Sequence, residues 1–506
     1  MMPTTTALRP PKNGVLVRMY RQGHGDCFLL ALPREREEDP FYVLIDCGFK
    51  PGSQADFIPC KNINEVVQDI AAATNHHLDL VIITHEHQDH LNGFWKEQKP
   101  YFHNFQIDEA WFAWTEDPTD ELAKELRRRH HDQLLGLVEA RRNLALAAGE
   151  ESTAVRQLDS LLSFELGGGG ETLSMAEMRA AAESPSKSVN KQGMKLIKDK
   201  AAKKRGVRYL SPGGEPLPLG ETSIRAFVLG PPRSENLLED EDPVGGEGFP
   251  GHGLSFMAAA KVAAAQGPAI SPFAKEFGVP VSQALTESFF QGHYGAKGEG
   301  EDDTDKTEVS ANASWRRIDD EWLYSAESLA LKLNSGINNT SLVLAFELPG
   351  SKKILLFAGD AQRGNWISWD DQTWQDGDKE VTAKQILGRT VLYKVGHHGS
   401  HNATLAGRVT DRYPNLSWMG KNRFAGEFTA MITAVSEWAM TRNNPPWRHP
   451  LPSIRKALLE KAQGRVFQTD VAQPERPENV SEGIWKAFLD RSTFHDIYFD
   501  YTVLDE

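Results

Sequence analysis

The run Thr84-His85-Glu86-His87-Gln88-Asp89-His90 follows directly on the apolar stretch Leu80–Ile83. Two histidines at i and i+2 leave a strand end on the same side, because side-chain direction alternates along a strand. A helix starting near Gln88 would project Asp89 and His90 from its first turn back toward them. Three imidazoles and a carboxylate gathered in this way suit Zn, Mn or Fe, and two such half-sites suit a two-metal hydrolytic centre. A polar cap on a surface turn would use the same residue types without chemistry. Three histidines and one aspartate within six positions favour the metal.

The elements that must position this loop are legible around it. Val15–Tyr20, Cys27–Leu32 and Phe41–Ile45 read as strands, Ile63–Ala73 has helical spacing, and Leu78–Ile83 is a parallel-type strand. Ile107–Trp114 reads as a further strand, and strands resume at Ser341–Glu347, Ile354–Phe357 and Val391–Val395. Strands alternating with helices predict an α/β layered architecture. Two segments interrupt it. One, at roughly 115–205, is helical and then basic; the other, at roughly 234–333, is acidic with helical stretches near Met257–Ala265 and Glu321–Leu333.

Composition narrows the class. The 506 residues have a mean hydropathy of −0.47 and a net charge of −14, which excludes a uniformly basic nucleic-acid coat. No apolar run reaches the roughly 18 residues of a membrane span, and Met1–Gly14 lacks the apolar core of a signal peptide, so the expected compartment is the cytoplasm. Three cysteines (Cys27, Cys47, Cys60) exclude a disulfide scaffold and a Cys-rich zinc site. Charge is unevenly spread. Lys187–Arg208 holds nine basic residues against Asp199, whereas Glu235–Glu247 and Glu299–Glu308 hold six acids each. The basic stretch reads either as a solvated linker or as a guide for a nucleic-acid backbone, with Lys198, Lys200, Lys203, Lys204 and Arg205 as the phosphate contacts.

The His-x-His-x-Asp-His pattern resembles that of the metallo-β-lactamase superfamily. Asp46 at the end of its strand, Gly359-Asp360 after Leu355-Leu356-Phe357-Ala358, and Val395-Gly396-His397-His398-Gly399-Ser400 resemble further motifs of that superfamily. Gly23–Leu30, Ile45–Gly48, Asn338–Leu344, His449-Pro450 and Val466–Asp470 narrow the resemblance. They are similar to the hydrolase domain attached to the DNA-uptake channel ComEC and to its soluble stand-alone relatives. The likeness covers residues 14–114, 206–233 and 335–470, with 471–506 left as a C-terminal extension.

The resemblance implies an αββα sandwich carrying two large insertions, and two divalent metal ions, Zn or Mn. It assigns His85 and His87 to one metal and Asp89 and His90 to the other. Asp360 would bridge them, His398 or His397 would complete the second site, and Asp46 would orient ligand imidazoles. Asp89, Asp360 and His398 would carry the catalysis. The superfamily's Pro-Gly-His turn has no counterpart after Ile224–Leu229, where Gly230-Pro231-Pro232 stands. The first metal would then take water, or a ligand from His103, His252 or His293. The implied activity is hydrolysis by a hydroxide held between the metals. Phosphodiesters of DNA or RNA are the first expectation, and the resemblance extends this to degradation of foreign DNA. The alternatives are a lactone, thioester or cyclic phosphodiester hydrolase, and a partner-binding subunit of a multi-protein defence assembly that docks through its insertions.

Overall fold

The computed structural model describes residues 7–249 and 336–506, together with Thr286. Residue 55, 97–98, several positions between 153 and 173, 184–187, 408–411 and 443–446 fall outside that description. The expected helices near Met257–Ala265 and Glu321–Leu333 therefore lie outside the described residues, as does the acidic stretch Glu299–Glu308.

The first strands form where β-branched and aromatic residues alternate. β1 (Gly14–Tyr20), β2 (Cys27–Leu32) and β3 (Phe41–Cys47) place Val15, Val17, Met19, Phe28, Leu30, Val43 and Ile45 on one face, and Leu29, Ala31, Tyr42 and Leu44 on the other. Both faces are covered, which is why these strands read as almost continuous apolar runs. They join β4 (His77–Ile82), β5 (Gln106–Ala113), β6 (Gly206–Leu210) and two C-terminal strands, β14 (Ser492–Phe494) and β15 (Tyr498–Leu504). The order is β14-β15-β1-β2-β3-β4-β5-β6, with β3 to β6 parallel.

A second, seven-stranded mixed sheet is built from β7 (Leu217–Pro218), β8 (Arg225–Gly230), β9 (Val343–Glu347), β10 (Ile354–Phe357), β11 (Thr390–Lys394), β12 (Thr429–Ile432) and β13 (Val466–Gln468). Its order is β13-β12-β11-β10-β9-β8-β7, and β10 to β13 run parallel. Side chains of both sheets meet in one apolar layer, where Phe28 packs edge-on against Phe357 at 5.4 Å. The other face of the first sheet is covered by α1 (Ile63–Thr74), and that of the second by α6 (Pro452–Lys461) with Trp366 and Trp369. The chain is thus mixed α/β.

Two boundaries differ from the expectation. Residues 471–506 are no appendage: β15 pairs with β1 along seven registered positions, and Phe499, Tyr501 and Val503 enter the layer between the sheets. Within 115–205, α3 (Glu121–Ala148) and α4 (Met175–Glu183) share a small apolar cluster of their own, as an insertion would. The helix that follows, α5 (Val189–Ala201), instead buries Met194, Ile197 and Ala201 against the first sheet. Their spacing puts them on one helix face. The basic segment is therefore a covering helix of the core rather than a linker.

Among the described residues, no helix is long and apolar enough to cross a membrane.

Candidate metal centre

The parallel strands of both sheets end at the same place. β3 delivers Asp46, β4 leads into Thr84–His90, β10 into Gly359-Asp360, and β11 into His397-His398. Crevices outside the carboxyl ends of parallel strands are where α/β proteins gather their ligands. α2 (Gln88–Leu91) begins at Gln88 as the spacing requires, and presents Asp89 and His90 from its first turn.

The loops are held in costly conformations. Asp46, His397 and His398 have φ of 54°, 42° and 55°, the left-handed region that non-glycine residues seldom adopt. Such strain persists where surrounding contacts over-determine it, and it clusters at functional sites. Gly48 is required by proximity: a Cβ there would lie 2.4 Å from the His90 backbone nitrogen.

Three imidazoles are anchored through Nδ1, which aims Nε2 inward. His85 Nδ1 pairs with Thr84 Oγ1 at 3.1 Å and Ser341 Oγ at 3.3 Å. His90 Nδ1 pairs with Asp46 Oδ2 at 2.8 Å, and His398 Nδ1 with the Thr433 carbonyl at 3.0 Å. One atom receives them all. Asp360 Oδ2 has the Nε2 atoms of His90, His398, His85 and His397 around it at 3.2, 3.6, 3.9 and 4.0 Å. His398 Nε2 also lies 3.0 Å from Asp89 Oδ2, and His87 Nδ1 lies 3.1 Å from His85 Nε2. Asp89, His90, Asp360 and His398 offer donor atoms that all lie within 4.8 Å of one another.

Electrostatics indicates what this cluster is suited to hold. Asp26, Asp46, Asp89 and Asp360 bring four buried carboxylates, and two ammonium groups, Lys50 and Lys394, stand beside them. Burial favours neutral His90, yet Asp360, Asp26 and Asp46 outweigh it and hold its pKa well above the ordinary value. These carboxylates call for positive charge where His90 Nε2 points. Burial pushes His85 the other way, and His90 and His87 reinforce it, so its imidazole is a neutral ligand type. Asp89 and Asp360 lie well below the usual carboxylate range; burial opposes this, but Lys50 and His398 outweigh it at Asp89, as His90 and His398 do at Asp360. Asp89 Oδ1, His90 Nε2 and Asp360 Oδ1 are buried without a hydrogen bond. Buried polar atoms are seldom left so. This donor set fits divalent metal ions.

Asp46 is engaged with the loop that carries His90. Its carboxylate takes the Thr84 N–H at 2.8 Å, the Thr84 hydroxyl at 2.6 Å and His90 Nδ1. Groups that fix a ligand imidazole from behind affect metal affinity by about 10–100-fold. Asp46→Ala is therefore expected to weaken metal binding by roughly that factor, as read by competition with a chromogenic chelator.

Reading the sequence did not single out Asp26. Asp26 lies in the turn Gly23–Asp26, accepts from Thr433 Oγ1 at 2.6 Å and pairs with Lys394. Lys394 is buried and donates to the Gly359 carbonyl at 2.8 Å, fixing the turn that carries Asp360. Two glycines bracketing His24 next to an aspartate at a strand start were the available sign.

The proposed third ligand does not come from His103, which is exposed just before β5, at the opposite end of the sheet. His252 and His293 lie outside the described residues. Among the described residues, the basic segment is also mostly committed elsewhere. Lys198 lies 3.5 Å from Glu116 and over the Phe112 ring, Lys200 donates to the His103 and Phe105 carbonyls at 2.7 and 2.8 Å, and Arg205 lies 3.4 Å from Glu221. Lys203 and Lys204 are exposed. A cavity of about 750 Å³ beside α5 is lined in part by cations paired with acids, among them Lys191 with Glu86 and Arg129 with Glu235.

Compared with family models, the sequence matches none. No curated protein is significantly similar to it.

Proposed function

We propose that this chain is a two-metal hydrolase with the αββα sandwich of the metallo-β-lactamase superfamily, of the ComEC-associated type, and that it cleaves phosphodiester bonds in DNA or RNA. The observation that carries the reading is the ring of four imidazole Nε2 atoms within 4.0 Å of one Asp360 oxygen. Two sheets packed face to face, with helices on their outer sides, support the same architecture.

His85 and His87 would hold one cation, and Asp89, His90 and His398 the other, with Asp360 between them. His397 reaches Asp360 from the mouth of the site. Two divalent cations, Zn or Mn, would supply Lewis acidity and water that ionises near neutral pH. The protein's own part is to keep the imidazoles aimed, through Asp46, Thr84, Ser341 and Thr433, and to exclude bulk water from the carboxylates. The sequence motifs support a phosphodiester substrate. The basic helix α5 adds little to that support, because most of its described cations are engaged in packing.

The test is a panel of single-stranded DNA, duplex DNA, RNA, a chromogenic phosphodiester, a lactone and a thioester, each with Zn, Mn or chelator. Expected is cation-dependent cleavage of a nucleic acid and of the chromogenic diester, lost on chelation. Turnover confined to the lactone or thioester would move the substrate class. Metal-loaded protein inert on the whole panel would leave a partner-binding role.

A further inference from the structure

Among the described residues, one side of the cluster reaches solvent at His397 and Lys50. The side chains of His85, Asp89, His90, Asp360 and His398 are sealed, and exposure begins at His397 (15%) and Lys50 (11%), with half-buried Trp447 and His449 beside them. Lys50 is held in place there. Its backbone N–H donates to the His24 carbonyl at 2.6 Å, and its own carbonyl accepts from Ser53 Oγ at 2.6 Å. Its ammonium lies 3.4 Å from Asp89 Oδ2 and 4.8 Å from the Trp447 ring centroid. Trp447 is itself fixed: it stacks on His449 at 5.6 Å and 22°, and His449 Nδ1 meets His24 Nε2 at 3.3 Å. His24 Nδ1 in turn accepts the Val435 N–H at 3.2 Å.

The other cations nearby do not share this placement. Lys394 is buried beneath the cluster, between Asp26 and Asp360, and Lys191 pairs with Glu86. Among the described residues, Lys50 is the ammonium that both touches a ligand carboxylate and reaches the opening. An ammonium seated on an indole face keeps its direction, and a charge-assisted contact to an oxyanion is among the stronger hydrogen bonds.

We infer that Lys50, seated on Trp447, is the anion contact of this site, taking a non-bridging oxygen of a phosphodiester at its mouth. Trp447 is the positioning residue for that ammonium, and His449 and His24 hold Trp447. The inference rests on the phosphodiester reading of the site and names the group that recognises the substrate's charge.

The experiment compares two thymidine dinucleotides of similar shape, one with an anionic phosphorothioate linkage and one with a neutral methylphosphonate linkage. Binding to metal-loaded protein is measured by calorimetry, alongside metal content. Wild type is expected to prefer the anionic probe. Lys50→Gln should reduce that preference about tenfold, Trp447→Leu about threefold, and Lys50→Arg should retain most of it. An unchanged preference in Lys50→Gln overturns the proposal. So does an equal loss on both probes, whether through lost metal or lost packing, because Lys50 would then serve Asp89 alone. Wild type that binds neither probe also overturns it. The parent reading is judged separately, by wild-type turnover of the natural dinucleotide: cleavage with an unchanged preference in Lys50→Gln sinks only the Lys50 assignment.

Discussion

Asp360→Ala is expected to lower hydrolysis by at least about 10³-fold, roughly 4 kcal/mol of transition-state stabilisation, while the protein stays folded. Asp360 Oδ2 is the atom on which His85, His90, His397 and His398 converge, so its removal leaves four imidazoles without their common centre. The fold should survive. Asp360 lies beyond the end of β10, whose residues Leu355 and Phe357 are packed in the layer between the sheets. Lys394 would keep Asp26 and the Gly359 carbonyl, so no buried ammonium is orphaned. Circular dichroism and a thermal melt would establish the fold, and mass spectrometry the metal content. The double variant Asp89→Ala/His90→Ala should lose metal relative to wild type. Near-wild-type turnover by folded Asp360→Ala would remove Asp360 from the centre, and equal metal in wild type and double variant would remove the metal assignment.

Much of this was legible in the sequence because the signals are local. Val15, Val17 and Met19 alternate with Leu16, Arg18 and Tyr20, and that period of two is a strand whatever follows. His85, His87, Asp89 and His90 lie within one loop, so their convergence needs only a strand end and a helix start. The partners of that loop are different in kind. Asp26 meets Lys394, Lys50 meets Asp89, and His24 meets His449 across hundreds of residues or between separate loops. No spacing rule brings such pairs together. At α5 the reading was misled for a physical reason: Lys195, Lys198 and Lys200 dominate the charge count, while Met194, Ile197 and Ala201 quietly supply a buried face. Charge density suggested a linker or a ligand guide, and three apolar residues at helical spacing decided the packing.

Deleting residues 492–506 is expected to abolish cooperative folding. The reading of the C-terminal stretch as an extension would allow its removal; the sheet order does not. β15 lies between β14 and β1, paired from Gly14↔Leu504 to Tyr20↔Tyr498. Phe499, Tyr501 and Val503 fill the layer between the sheets, and burial of such side chains stabilises by roughly 1.5–3 kcal/mol each. Arg18, buried and hydrogen-bonded to Asp500 at 2.7 and 2.8 Å, would lose that partner and the Tyr498 ring it lies over, and would keep Asp69. Removing one partner of a buried ion pair costs about 3–5 kcal/mol. The losses together rival the whole stability of a typical domain, about 5–15 kcal/mol. β15 also ties the sheets together: Lys353 donates to the Leu504 carbonyl at 2.8 Å, and Asp505 accepts the Gly350 and Ser351 N–H groups at 2.9 and 2.7 Å. Asp505→Ala removes only that tie, so a milder loss of about 1–3 kcal/mol is expected. Thermal melts of the chain ending at Arg491, the Asp505→Ala variant and the 506-residue chain would rank the three. A truncated chain that melts cooperatively within a few degrees of the untruncated one would show that β1 is stable as the edge of the sheet.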